Sequence, residues 1–163
     1  VHARAPEIVF ADGVCQLMRW DDCFVSRWTG QTGADQVRRM TDEHVRYLDA
    51  HGDRTTLTLS HVDMAEVKPI DSDVHAEIRR YDAAVVTRIR AGVTVVGVGG
   101  FSGVVVRGVI AGLNLVTRRS AFSAVVSTPR EGIDFLARHS ISAKTPTSLD
   151  VLVATYERAC GKR

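Results

Sequence analysis

Asp71, Ser72 and Asp73 set two carboxylates around one hydroxyl at the start of a segment with helical spacing. The free backbone N–H groups of a helix N-terminus stabilise negative charge. The plain reading of the triplet is therefore a helix N-cap. The wider stretch His61, Asp63, Asp71, Asp73, His75 and Glu77 is rich in metal-ligand types but has no HExxH or similar frame. Solvated loops and caps are its plain reading, and no metal is expected. Downstream, Gly97-Val98-Gly99-Gly100-Phe101-Ser102-Gly103 is a glycine-rich turn after an apolar run. Gly99, Gly100, Ser102 and Gly103 there could cradle an anion with backbone N–H groups. The spacing is GxGxxxG and the Walker lysine is missing, so close packing of helix on strand is the other reading. Ser102 comes near a nucleophile elbow, which makes a hydrolase the third-ranked function, with Asp134 and His139 as later partners on one helix.

These groups lie in a chain of 163 residues with 21 Lys and Arg against 19 Asp and Glu. The charge is near balance and aromatics make up only 6% of residues, which argues against a nucleic-acid binder. The 45% hydrophobic content is that of a globular domain with a real core. Cys15, Cys23 and Cys160 are odd in number and form no CxxC pair, so neither zinc nor a disulfide framework is indicated. They read as small core residues. Residues 1–10 carry charges and Pro6 in place of a long apolar core, so no signal peptide is expected and the cytoplasm is the expected location. Glycines and Arg107 interrupt the apolar stretch 93–116, which reads as core rather than a membrane span.

Alternating segments at 14–20 and 24–29, joined by Asp21-Asp22, predict a β-hairpin. Apolar positions at Val37, Met40, His44 or Val45, and Leu48 predict a helix over 33–51 that stops at Gly52. Residues 55–62 read as a strand. A second helix is expected over 72–91, with Val74, Ile78, Tyr81, Val85 and Ile89 on one face and Gly92 as its end. The β-branched run 93–98 predicts a central strand covered on both faces. A third helix carrying Val105, Val109, Ile110, Leu113 and Val116 follows the glycine turn, then a strand over 122–127. Thr128-Pro129-Arg130-Glu131 opens a fourth helix. Residues 140–148 read as a linker and 149–163 as a C-terminal amphipathic helix that packs on the domain or on a partner, the domain proper being 1–139. The fold class is α/β: a mixed sheet of about five strands flanked by helices, in the order ββαβαβαβα, plus the extra C-terminal helix.

That order and two groups of residues resemble the SpoIIAA-like branch of the STAS superfamily, which overlaps the SEC14-type description. The first group is Thr58-Leu59-Ser60-His61-Val62 followed by Ile70-Asp71-Ser72. The second is Val95-Val96-Gly97-Val98-Gly99 with the helix after it and the closing run 128–136. The resemblance covers about residues 12–138. It implies a bacterial-type, non-enzymatic regulatory or protein-interaction module without a cofactor, whose partner is another protein or a second copy in a homodimer. Where the family's phosphorylatable serine would stand second after the aspartate, this chain has Asp73, and Ser72 alone offers a hydroxyl. The connection is lengthened by residues 64–67, and the family's glycine-leucine-glycine stretch is absent. The SEC14-type description implies the alternative, a small apolar or anionic ligand such as a lipid or nucleotide. The third helix is apolar around most of its circumference and needs a dimer contact, a cavity wall or the last helix to cover it.

Overall fold

The computed structural model describes residues 4–64, 71–97, 123–140 and 147–161. Among the described residues six strands form one mixed sheet whose spatial order follows the chain: β1 Glu7–Ala11, β2 Cys15–Trp20, β3 Cys23–Trp28, β4 Leu57–Val62, β5 Ala91–Val96 and β6 Ser123–Val126. The first three are an antiparallel meander, and β3 to β6 run parallel. The hairpin turn is Asp21-Asp22, with Trp20 paired to Cys23. Asp21 has φ +52°, a left-handed conformation that Asp tolerates better than most residues.

Helix α1, Ala34–His51, joins β3 to β4, and α2, Ser72–Tyr81, lies between β4 and β5. Two parallel crossovers of one hand that step the same way put their helices on the same face. There Cys15, Leu17, Phe24 and Trp28 of the sheet pack with Val37, Met40 and Tyr47 of α1 and Val74 of α2. Of His44 and Val45, left open by the spacing, His44 is the one fully buried. Gly52 ends α1 at φ +84°, its N–H bonded to the Leu48 carbonyl. The opposite face carries Met18, Trp20, Val25, Leu59, Val93 and Val95, covered by Ile133 and Leu136 of α3, Pro129–His139, and Leu152 and Tyr156 of α4, Leu149–Ala159. The last helix therefore seats on the sheet. Among the described residues no helix is long and apolar enough to cross a membrane.

Three expectations need correction. Among the described residues the sheet has six strands, not about five, because β1 adds an edge. Its register shifts between Ile8 and Phe10, and this bulge breaks the alternation that would mark a strand in the sequence. The second helix stops well short of residue 91: after Tyr81 it widens into a π-helical turn, Asp82–Val86, and β5 already begins at Ala91. Gly92 is therefore a strand residue and not a helix end; a Cβ there would lie 2.9 Å from Thr58 Cγ2. The run from 93 belongs to β5, which lies inside the sheet but next to the last strand rather than at its centre. The glycine turn beyond Gly97, the third helix and most of the expected linker lie outside the described residues.

At α3 the expected start signal takes its full form. Thr128 Oγ1 accepts from the Glu131 N–H, while the Glu131 carboxylate accepts from the Thr128 N–H, a capping box with Pro129 in the first turn. One turn in, Gly132 faces the sheet, and a Cβ added to it would sit 2.6 Å from Val95 Cγ2. Valine is stiff at χ1 and is itself buried, so it cannot step aside. Gly132→Ala is expected to lower stability by about 1–2 kcal/mol despite the better helix propensity of alanine. Urea unfolding checks this, and an unchanged or raised midpoint would refute the close approach.

Candidate functional site at the carboxyl edge of the parallel strands

Open α/β sheets bind their ligands outside the carboxyl ends of parallel strands. In this sheet that edge is formed by Trp28, Val62 and Val96, the last residues of β3, β4 and β5. The ladder continues one residue beyond them: Asp63 N–H donates to the Trp28 carbonyl and Gly97 N–H to the Val62 carbonyl. Asp63 and Gly97 are thereby fixed side by side. A Cβ on Gly97 would lie 3.6 Å from His61 Nε2 and 3.9 Å from Asp63 Oδ1, in ordinary contact.

Parallel pairing sets Arg27 of β3 directly beside His61 of β4. The two point to the face covered by α4. Arg27 donates from Nε and Nη2 to Asp63 Oδ2, at 3.2 and 2.7 Å, and from Nη1 to the Cys160 carbonyl at 3.0 Å. Burial works against the guanidinium charge; the Asp63 carboxylate, helped by Cys160 and Tyr156, outweighs it and holds Arg27 above its ordinary pKa. Gln16 of β2 donates to the Ala159 carbonyl, so two sheet residues bond carbonyls at the C-terminal end of α4, where a positive charge also suits the helix dipole. His61 is 1% exposed and shares a 2.7 Å hydrogen bond with Tyr156 Oη. Burial, reinforced by the neighbouring Cys160 thiol, pushes the Tyr156 phenol well above its ordinary pKa, which keeps it protonated. Arg27, His61, Asp63 and Tyr156 thus bond one another or α4.

On the same edge, α2 begins where the chain returns from β4 toward β5. Asp71 occupies the N-cap position with extended backbone, φ −72° and ψ 162°, yet its side chain makes no cap hydrogen bond. Asp71, Ser72 and Asp73 are all exposed, and Ser72 Oγ donates to Asp73 Oδ1 at 3.3 Å. The triplet is brought together as an open surface. Gly99, Gly100, Ser102 and Gly103 fall outside the described residues.

The metal-type stretch is dispersed. His61 is bonded to Tyr156, Asp63 to Arg27, and Glu77 to Arg38 across the α1–α2 interface and to Arg80 one turn further along α2. Among the described residues no group of three His, Cys, Asp or Glu side chains is placed to hold a metal ion. His139 ends α3 with Nδ1 bonded to the Phe135 carbonyl, and Ser140 after it bonds Asp22 in the β2–β3 turn. That places His139 at the opposite, amino edge. The thiols are buried: the Cys15 pKa is pushed up to about 12 by burial and Asp12, and that of Cys23 still higher. Arg27 and Tyr156 are the members of the edge that the sequence did not single out. Comparison with protein-family models, curated proteins and solved structures returns no match.

Proposed function

We propose that this chain is a non-enzymatic regulatory or protein-interaction domain of the STAS, SpoIIAA-like type, with Asp71, Ser72 and Asp73 as its recognition surface. The partner is another protein or a second copy. The observation that carries the reading is Asp71: it stands at the N-cap position without making the cap bond, so its carboxylate is left facing solvent beside Ser72 and Asp73. A residue kept for capping alone would accept from the first-turn N–H groups, and replacing it would cost about 1 kcal/mol. On the opposite face of the sheet, Arg27, His61, Asp63 and Tyr156 are engaged with one another or with α4.

The test is a photo-crosslinker in place of Ser72, with a second at exposed Arg79 near the far end of α2. A defined protein adduct, a copy of the chain included, is expected at 72 and not at 79. Asp71→Ala with Asp73→Ala is expected to reduce it about tenfold while changing stability by less than ~0.5 kcal/mol. Identical adducts at both positions, or a capping-sized loss of stability, would contradict the reading. Ser72→Ala with unchanged phosphate incorporation in cell extract would remove the phosphoryl-acceptor role.

A second reading, a small apolar or anionic ligand held by the same fold, is favoured by Gly97. That glycine puts bare backbone beside His61 Nε2 and Asp63 at the carboxyl edge and opens the glycine-rich segment.

A further inference from the structure

We infer that Arg19, Arg39 and Arg46, gathered around Glu43, form a binding site for a compact oxyanion of the phosphate class. Residues 39, 43 and 46 are spaced at i, i+4 and i+7 on α1 and share one face, while Arg19 rises toward it from β2. Glu43 is nearly buried, its side chain 7% exposed. Its Oε1 accepts from Arg46 Nη1 at 2.8 Å and pairs with Arg39 Nη2 at 3.2 Å, while Arg19 Nη2 stays 3.8 Å from Oε2, beyond hydrogen-bond reach. The Arg39 guanidinium also lies over the Phe10 ring at 5.3 Å, which fixes its plane.

One carboxylate faces three guanidinium groups, so the cluster carries an uncompensated charge of +2. Glu7 stands opposite Arg19 in the β1–β2 register but is exposed and forms no ion pair with it among the described residues. The second observation is Arg19 Nε, a covered donor on a side chain 36% exposed, which has no hydrogen-bond partner among the described residues. A covered N–H left unsatisfied is costly, and an oxyanion that draws the partly exposed Arg19 side chain toward it relieves that cost. Guanidinium forks match tetrahedral oxyanions, and a dianion matches the excess charge. Arg19 pairs with Phe24 near the start of β3, so this cluster lies toward the amino edge, away from Asp71–Asp73.

The full chain titrated with inorganic phosphate at constant ionic strength tests this, read by calorimetry and by the arginine Nε–H resonances. Saturable binding that shifts the Arg19 Nε–H signal is expected, with O-phosphoserine as a second probe to show whether a free or a side-chain phosphate is preferred. Arg46→Gln, at a side chain 63% exposed and so of little weight in folding, is expected to weaken binding roughly tenfold. Glu43→Gln removes the resident anion and is expected to tighten it by a similar factor. No saturation, an equal response to chloride, or a Glu43→Gln protein that binds no tighter would overturn the site and leave the arginines as structural partners of Glu43.

Discussion

Tyr156→Ala is expected to cost about 3–5 kcal/mol of unfolding free energy, the range for emptying the site of a buried aromatic ring. The ring is 1% exposed, stacks on Trp20 at 6.0 Å between centroids, and carries the hydroxyl that bonds His61. Tyr156→Phe keeps the ring and removes only that bond; about 1–3 kcal/mol is expected, because His61 Nδ1 loses this bond at a buried position. The pair of variants separates packing from the polar contact. Both are also expected to loosen the end of α4, since Arg27 and Gln16 bond carbonyls just past Tyr156. Denaturant unfolding gives the energies, and hydrogen exchange across residues 149–161 gives the local effect. A Tyr156→Phe protein as stable as the parent, with unchanged exchange, would show that the His61 bond does nothing to hold the edge.

A comparable loss is expected on acidification, from His44. This imidazole is fully buried on α1, stacked on Phe24 at 4.2 Å, with Nδ1 3.0 Å from Tyr81 Oη and Nε2 without a hydrogen-bond partner among the described residues. Burial, aided by the nearby Arg88 charge, pulls its pKa from 6.5 down to about 3. The folded chain therefore keeps His44 neutral while the unfolded chain takes up a proton below 6.5. The unfolded state binds more protons, so stability is present above pH 6.5 and falls as pH drops toward 3, by about 1.4 kcal/mol per unit. Over two units that is roughly 3 kcal/mol, a large share of a typical domain's stability. Stability against pH for the parent and for His44→Gln checks it: the variant's curve is expected to be flatter by this slope between pH 6 and about 4. Parallel curves would refute the neutral buried imidazole.

What the sequence made legible was what is decided locally. Apolar spacing set α1, Gly52 its end, and Thr128-Pro129-Arg130-Glu131 the start of α3, because caps and periodicity need only a few neighbouring residues. β1 was hidden by its bulge, and the early end of α2 by a run of apolar residues that continues smoothly through the π-helical turn into β5. The carboxyl edge was half legible. His61 and Asp63 stood out by residue type and Asp71 to Asp73 by position, whereas Arg27 looks like the polar side of a strand, and Tyr156 like one stripe of an amphipathic helix. Only the parallel register that puts Arg27 beside His61, and the seating of α4 over both, joins residues more than a hundred positions apart.

Native mass spectrometry of the purified chain tests the central claim most directly, because it weighs whatever the carboxyl edge holds without a prior guess at its identity. The proposed interaction domain predicts the chain's own mass, alone, as a dimer or with a protein partner, and loss of the assembled species in Asp71→Ala with Asp73→Ala. A small organic molecule retained at one per chain, and released when Gly97 is replaced by a bulky residue, would contradict it in favour of a ligand site.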